Sequence, residues 1–292
     1  MDLKEALLYE VKEKKRVQCH VCPWNCIIAE GKVGHCGVRQ NVGGKLYSLI
    51  YSKVSSLTND PIEKKPLYHF HPGTYVMSAG TVGCNFRCLH CQNWTISQVR
   101  PDEIYLKTVT PEQLVESAKD QGSSGVAWTY NEPTIWLEYM LDGAKLAKKA
   151  GLYTVSVTNG YINEEALELI GPYIDAYALD IKAWNLEFAK EICGVPNFEP
   201  VLKAAVLMKK KWKAHVEVTT NVIPGKNDDD EQLRNIAKWI EKNMGKDTPW
   251  HLSRAFPYYK LMDFRPTPVE TLERGKAIGL EEGLKVVHLG NV

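Results

Sequence analysis

No run of residues in this 292-residue chain is apolar for long enough to cross a bilayer, so no membrane-embedded role is expected. The start, Met1-Asp2-Leu3-Lys4-Glu5, is charged where a secretory leader would be apolar. An excess of one charge is also missing. Lys and Arg number 36 against 35 Asp and Glu, a net of +1, which removes the electrostatic case for nucleic acid or an anionic membrane surface. The basic runs Lys209-Lys210-Lys211 and Lys12 to Arg16 are short, as solvated helix faces are. No G-x-G-x-x-G follows a candidate strand, which weakens a dinucleotide-binding reading. Cysteine is nearly absent beyond residue 91, where Cys193 stands alone and reads as a small buried apolar side chain. The expected compartment is the cytoplasm, where thiols stay reduced, so the other seven cysteines point to metal and not to disulfides.

What is there is a chain that is 44% hydrophobic, enough for a sizeable core. From residue 75 onward short apolar β-rich runs alternate with longer helical patterns. Strands are expected at Tyr75–Gly80, Gly125–Thr129, Tyr153–Thr158, Tyr177–Ile181, His215–Val222 and Trp250–Ser253, with a seventh at Lys285–Leu289. Helices are expected over 111–121, 134–150, 163–171, 197–211, 229–244 and 267–281. Their signals include Thr110 before Pro111, Asn163 before two acids, and Gly151 as a C′ glycine. Repeated βα units with near-continuous apolar strands predict an α/β fold, a partial parallel (β/α)6-type barrel over residues 75–292. Residues 1–74 break this rhythm. They are expected to form a small N-terminal Cys-rich extension with a helix, a cysteine cluster and a β segment at Lys45–Val54.

The densest chemistry lies in Gly83-Cys84-Asn85-Phe86-Arg87-Cys88-Leu89-His90-Cys91, at the end of the first barrel strand, where such folds keep their sites. Three thiolates spaced C-x3-C-x2-C can wrap a [4Fe–4S] cluster and ligate three of its irons. Most clusters take four protein thiolates, so three leave one iron open for a ligand. The alternative is a zinc knuckle that borrows His90, but no second ligand pair follows, as zinc sites usually require.

At these residues the chain resembles the radical S-adenosylmethionine (SAM) superfamily, in which the open iron chelates SAM and one electron cleaves it to a 5′-deoxyadenosyl radical. Further elements carry the resemblance. Thr129-Tyr130-Asn131-Glu132-Pro133 stands where the superfamily holds the SAM amine, so Thr129, Asn131 and Glu132 become candidate cofactor contacts. Glu132 can accept from the ammonium group, although alone it reads as an acid at an ordinary helix N-terminus. Thr158-Asn159-Gly160 closes the third strand and Asp180-Ile181-Lys182 the fourth. Thr158 and Asn159 join the cofactor set. A strand-ending Asp and a Lys two positions on share one side, where they can hold ribose hydroxyls or the SAM carboxylate, or form a surface ion pair. The resemblance puts His90 and the backbone at Ile223 beside adenine. Asp228-Asp229-Asp230 read as helix caps.

These elements, with Cys193-Gly194-Val195 and Val222-Ile223-Pro224-Gly225, resemble pyruvate formate-lyase activating enzyme over about residues 75–260. Two positions depart from it. Val157 replaces an Asp that contributes to a cation site there, and Tyr259 replaces a His. Across nearly its whole length the chain resembles the radical SAM enzyme of the AmmeMemoRadiSam system. The matching stretches include Cys19-His20-Val21-Cys22-Pro23, Lys64 to Phe70, and Pro249-Trp250-His251-Leu252-Ser253-Arg254, which adds His251 as a candidate cofactor contact. Those relatives continue into a tail with another Cys-Pro-x-Cys, absent here. The resemblance implies an electron donor of the flavodoxin or ferredoxin kind and a possible protein substrate. Two other readings are a catalytically inactive metal-stabilised binding module and a two-cluster electron carrier.

Cys19, Cys22, Cys26 and Cys36 supply four more thiols within eighteen residues. They suit a structural zinc site or an auxiliary iron–sulfur cluster, with zinc favoured because the short loops resemble a zinc knuckle.

Overall fold

Two kinds of strand set the architecture, half-exposed ones before residue 62 and, apart from the two-residue pair at 107–108, mostly buried ones after residue 74. The structure is a computed structural model that describes residues 3–292. The chain packs as two units, Met1–Asn85 with Asn93–Ala176, and Phe86–Gln92 with Tyr177–Val292. The fold is α/β with a mostly parallel central sheet, as the alternating pattern predicts.

In the first unit the early strands are β1 (Lys4–Glu5), β2 (Tyr9–Val11), β3 (Val17–Cys19), β4 (Ile27–Ile28), β5 (Arg39–Val42), β6 (Lys45–Ser48) and β7 (Lys53–Val54). They form small antiparallel sheets in the orders β1-β6-β5 and β2-β3-β4. The N-terminal helix expected here is not formed. Leu3, Leu7 and Val11, which a helix would align on one face, are all exposed, and the segment pairs as β1 and β2 instead. Long-range pairing with residues 45–48 overrides local helix propensity. The β segment expected at Lys45–Val54 is broken by a turn at Ser52, whose φ is +58°.

The longer strands of this unit are β8 (Ser56–Pro61), β9 (Tyr75–Gly80), β11 (Gly125–Trp128) and β12 (Tyr153–Thr158), and β10 (Lys107–Thr108) pairs with β7. β9, β11 and β12 are parallel neighbours. Apolar residues on both of their faces suit strands covered on both sides. β8 was expected within the appended segment, yet it pairs antiparallel along all of β9. Its polar sequence, ending in Asp60-Pro61, carries little strand signal and fits an edge. The helices are α1 (Trp94–Ser97), α2 (Pro111–Asp120), α3 (Leu137–Lys149) and α4 (Glu164–Ile170). Thr110 and Gln113 close a reciprocal capping box on α2.

The second unit holds β13 (Ala176–Asp180), α5 (Glu199–Val206), β14 (His215–Val222), α6 (Asp230–Met244), β15 (Trp250–Arg254), α7 (Val269–Glu281) and β16 (Val287–Gly290). β14, β15 and β16 are parallel neighbours. Asp229 caps α6 by accepting from the Gln232 amide at 2.9 Å. No helix among the described residues is long and apolar enough to cross a membrane.

β8 contributes a buried charge cluster. Asp60 accepts from Lys64 at 2.8 Å, from the buried Lys65 at 2.6 Å, and from the Tyr130 hydroxyl. Burial favours the neutral acid, but these three donors outweigh it and hold the carboxyl at about 2. We expect Asp60→Asn to cost about 3–5 kcal/mol, because it leaves the Lys65 charge buried and unpaired. A depressed carboxyl stabilises the fold above the ordinary carboxylate range. About 2 kcal/mol of that stability should disappear in the wild type as pH falls from about 4 to about 2, and be missing from the variant's pH profile. Denaturant melts across this range check both expectations.

Candidate functional site

β9 leads directly into the first cysteine of the three-cysteine loop. Gly83 holds φ +84°, and a Cβ there would lie 2.7 Å from the Cys36 carbonyl oxygen and from Val38 Cγ1, so only glycine fits. Asn131 fastens this stretch from β11's side. Its Oδ1 accepts from the Thr81 amide at 3.0 Å and its Nδ2 donates to the Gly83 carbonyl at 2.9 Å. Asn85 is fully buried beside Cys84. It donates to the Tyr161 carbonyl at 2.8 Å, accepts from Asn159 Nδ2 at 2.8 Å, and its own carbonyl accepts from Trp24 Nε1 at 2.8 Å. Asn159 Nδ2 also lies 3.9 Å from the Cys84 sulfur.

Glu132, Thr158 and Asn159 come together in the same unit. Glu132 Oε1 accepts from the Thr134 amide at 2.9 Å and the Thr158 hydroxyl at 2.7 Å, while Oε2 accepts from the Asn159 amide at 2.8 Å. The carboxyl is 2% exposed, and its donors are neutral. Burial raises its pKa, and the hydrogen bonds only partly oppose that. Glu132 thus caps the turn at Pro133–Trp136, as an N-terminal acid would, and still keeps acceptor capacity on Oε2. Thr129 is buried just past β11, its amide donating to the Ala79 carbonyl at 2.9 Å.

The rest of the loop belongs to the second unit and is held by its own backbone. Arg87 N donates to the Cys193 carbonyl and Leu89 N to the Ile192 carbonyl, both at 2.8 Å. Lys260 N and Leu261 N donate back to the Leu89 carbonyl at 3.0 and 2.9 Å. Gly194, at φ +69°, lets this loop approach, since a Cβ there would lie 2.9 Å from Arg87 Cβ. Cys193 is buried, as expected, but it is not merely apolar filling. Its thiol hydrogen-bonds with that of Cys88, and this bond together with burial pushes the Cys88 thiol well up.

Asp180 and Lys182 do share one side, with Nζ 2.7 Å from Oδ2. Burial opposes the Lys182 charge, but Asp180 and the sulfurs of Cys88 and Cys193 outweigh it and raise its pKa. A fixed cation beside Cys88 favours thiolate and any anionic group bound there. His90 is buried against the Phe188 ring, 6.0 Å between centroids, and its Nδ1 has no partner. Burial first, and the Lys182 charge second, lower its pKa to about 3, so the ring is neutral. Ile223 is buried, and its amide donates to Asn227 Oδ1 at 2.6 Å. Asn227 Nδ2 in turn donates to the Lys182 carbonyl at 2.6 Å and the Asn221 carbonyl at 2.9 Å. His251 lies early in β15. Its Nε2 is 2.7 Å from Glu217, which also meets His215 at 2.9 Å.

Sequence reasoning gave no role to Asn85 or Asn227, and it read Cys193 only as a small buried apolar side chain. The signals available were the placement of Asn85 between Cys84 and Cys88, Asn227 within the Pro-Gly turn, and the Cys-Gly-Val motif.

The chain is thus an α/β protein with a mostly parallel central sheet and three cysteines on the loop that follows β9. The Radical SAM superfamily matches residues 79–240. The chain belongs to that superfamily. It is 47% identical over 292 residues to Uncharacterized protein MJ0808 of Methanocaldococcus jannaschii, covering 99% of this chain and 86% of that protein. It is 26% identical over 224 residues to the Pyruvate formate-lyase 1-activating enzyme of Escherichia coli, with 70% of this chain and 88% of that enzyme covered. Among solved structures, a domain of pyruvate-formate lyase-activating enzyme from Bacteroides vulgatus superposes with a TM-score of 0.50 at 20% identity, covering 58% of this chain and 100% of that domain.

The Asn85 amide network generates one expectation. Asn85→Leu should destabilise the first unit by about 2–4 kcal/mol, since it leaves the Tyr161 carbonyl and the Asn159 amide buried without partners. Thermal melts compared with those of an exposed control, Asn93→Leu, measure it.

Proposed function

We propose that this chain is a radical SAM enzyme in which Cys84, Cys88 and Cys91 hold a [4Fe–4S] cluster and SAM binds at its open iron. One observation carries this reading: three thiols on the strand-end loop of a radical SAM chain, with a charged lysine beside the middle thiol. The donor set fits. Cys84 and Cys88 are buried, Cys91 is partly exposed, and His90 leaves one buried ring nitrogen unsatisfied. When bound, cluster and SAM supply one-electron cleavage of the sulfonium and hydrogen-atom abstraction from a substrate.

The chain's own residues orient and shield. Glu132, pinned by Thr158, Asn159 and Thr134, offers its remaining acceptor capacity to the SAM ammonium group. Asn131 and Thr129 fix the loop and strand end behind it. Asp180 and Lys182 serve the ribose hydroxyls or the carboxylate, and Lys182 also offsets negative charge at Cys88. The neutral His90 ring offers apolar and hydrogen-bonding surface for adenine, and the Ile223 backbone, its own amide and carbonyl engaged, would pack on that base. The electron comes from a flavodoxin- or ferredoxin-like donor, which fits a reducing cytoplasmic setting. The activating-enzyme relatives favour a protein as the hydrogen-atom donor.

Anaerobically purified protein should be brown, and Cys88→Ala should lose the iron, sulfide and reduced-cluster EPR signal. With dithionite and SAM the wild type should release 5′-deoxyadenosine. Iron without SAM cleavage would favour an electron carrier, and a colourless protein would favour an inactive binding module. Glu132→Ala should retain the cluster signal but weaken SAM binding by roughly tenfold to a hundredfold, the value of one charge-assisted hydrogen bond, about 1.5–3 kcal/mol. An unchanged SAM dissociation constant would limit Glu132 to its helix-capping role.

A further inference from the structure

The reaction proposed above leaves four thiols unused. Cys19, Cys22, Cys26 and Cys36 line a single recess in the first unit, together with Arg39. Each sulfur accepts a backbone amide. Cys19 is met by Val21, Cys22 by Trp24, Cys36 by Val38, and Cys26 by His35 at 3.4 Å. In three of the four the donor lies two residues ahead, so the chain turns back over its own sulfur. A neutral thiol is a weak acceptor, whereas a thiolate needs such donors to meet its charge.

Arg39 adds an independent observation. The residue is 2% exposed, and its terminal nitrogens are fully engaged. Nη1 and Nη2 grip the Glu138 carboxylate at 2.9 and 2.7 Å, and Nη2 also donates to the Ile135 carbonyl at 3.2 Å. Its Nε–H has no partner. The guanidinium lies within electrostatic reach of Cys19 and Cys36. A buried N–H without an acceptor is rare, and a deprotonated sulfur brought within reach would supply one.

The peptide around these thiols has little regular structure, although Trp24 anchors it by donating to the Asn85 carbonyl at 2.8 Å and Asn163 by donating to the His20 carbonyl at 2.9 Å. β2, β3 and β4 are three, three and two residues long, and Asn25 sits at φ +43° in the turn between Cys22 and Cys26. Strands this short do not hold a register unaided. As the side chains stand, no group of three or more Cys, His, Asp or Glu among the described residues is placed to hold a metal ion. Binding one ion would require the four sulfurs to move inward and lose their protons.

We infer that Cys19, Cys22, Cys26 and Cys36 form a mononuclear tetrathiolate centre for Zn2+, with the Arg39 Nε–H donating to one of its sulfurs. The one-to-one match of amide donors to thiols favours a single ion in a closed site. A cluster would add bridging sulfides that need donors of their own.

The test uses the full chain carrying Cys84→Ala, Cys88→Ala and Cys91→Ala together, purified without air and without added iron. It should retain about one zinc per chain, and zinc-edge X-ray absorption should show four sulfur neighbours at about 2.3 Å. Cys22→Ser or Cys36→Ser in the otherwise native chain should lose that zinc. Because loss of a structural ion also unfolds those variants, the triple variant is loaded with Co2+ as well, which should give the visible absorption of a tetrathiolate site. A triple variant without metal overturns the proposal. So does one that holds iron and sulfide, and so does a zinc shell containing nitrogen or oxygen.

Discussion

A carboxyl group sealed from water organises the strand ends of the first unit. Glu132 is 2% exposed and meets neutral donors from two places along the chain, the turn at Thr134 and the strand end at Thr158 and Asn159. Asn159 then passes that order to Asn85, and Asn85 fixes the backbone next to Cys84. Each link is a buried polar contact, so displacing one leaves another group unsatisfied in low dielectric. This makes the position of Cys84 a consequence of contacts far from it in sequence. A carboxyl held this way is also costly, because its raised pKa records the loss of water. A cation brought to Oε2 would lower that cost, which is the physical sense of an acidic residue at this place.

The second unit solves its half of the problem with charge. Lys182 is kept ionised by Asp180 and by the sulfurs near it, and Asn227 holds its backbone in place from the following turn. The same ammonium group helps to keep His90 neutral. One fixed cation therefore favours an anionic centre at Cys88 and preserves an uncharged ring two residues away. Cys193 belongs to this arrangement and not to the general core, since its thiol meets that of Cys88.

How much of this was legible depended on the range of the interaction concerned. The strands at 75–80, 153–158 and 215–222 were readable to the residue because their apolar runs end in Gly, Thr-Asn-Gly or Pro-Gly signals. The cap at Thr110 and the pairing of Asp180 with Lys182 were readable because their partners lie within three residues. The segment at 3–11 misled, since its helix-forming residues pair with β6 and β3 instead. β8 was hidden by its polar composition, and it is specified by Lys65 and Tyr130 acting on Asp60. Asn85 and Asn227 lie inside readable motifs, but the motifs do not name their partners, because an amide side chain acquires a role only from partners that folding supplies. His251 was grouped with the cofactor contacts by a motif, while its ring is engaged by Glu217.

The way the loop is shared between the units has a consequence for the order of synthesis. Cys84 belongs with residues made early, but Arg87 and Leu89 take their backbone partners from Ile192 and Cys193. The Leu89 carbonyl waits longer still, for Lys260 and Leu261. On the ribosome, more than half the chain must be made before the segment carrying Cys88 and Cys91 can settle, while the four N-terminal thiols emerge within the first 36 residues. The two sets of cysteines therefore settle into their folded surroundings at different times during translation.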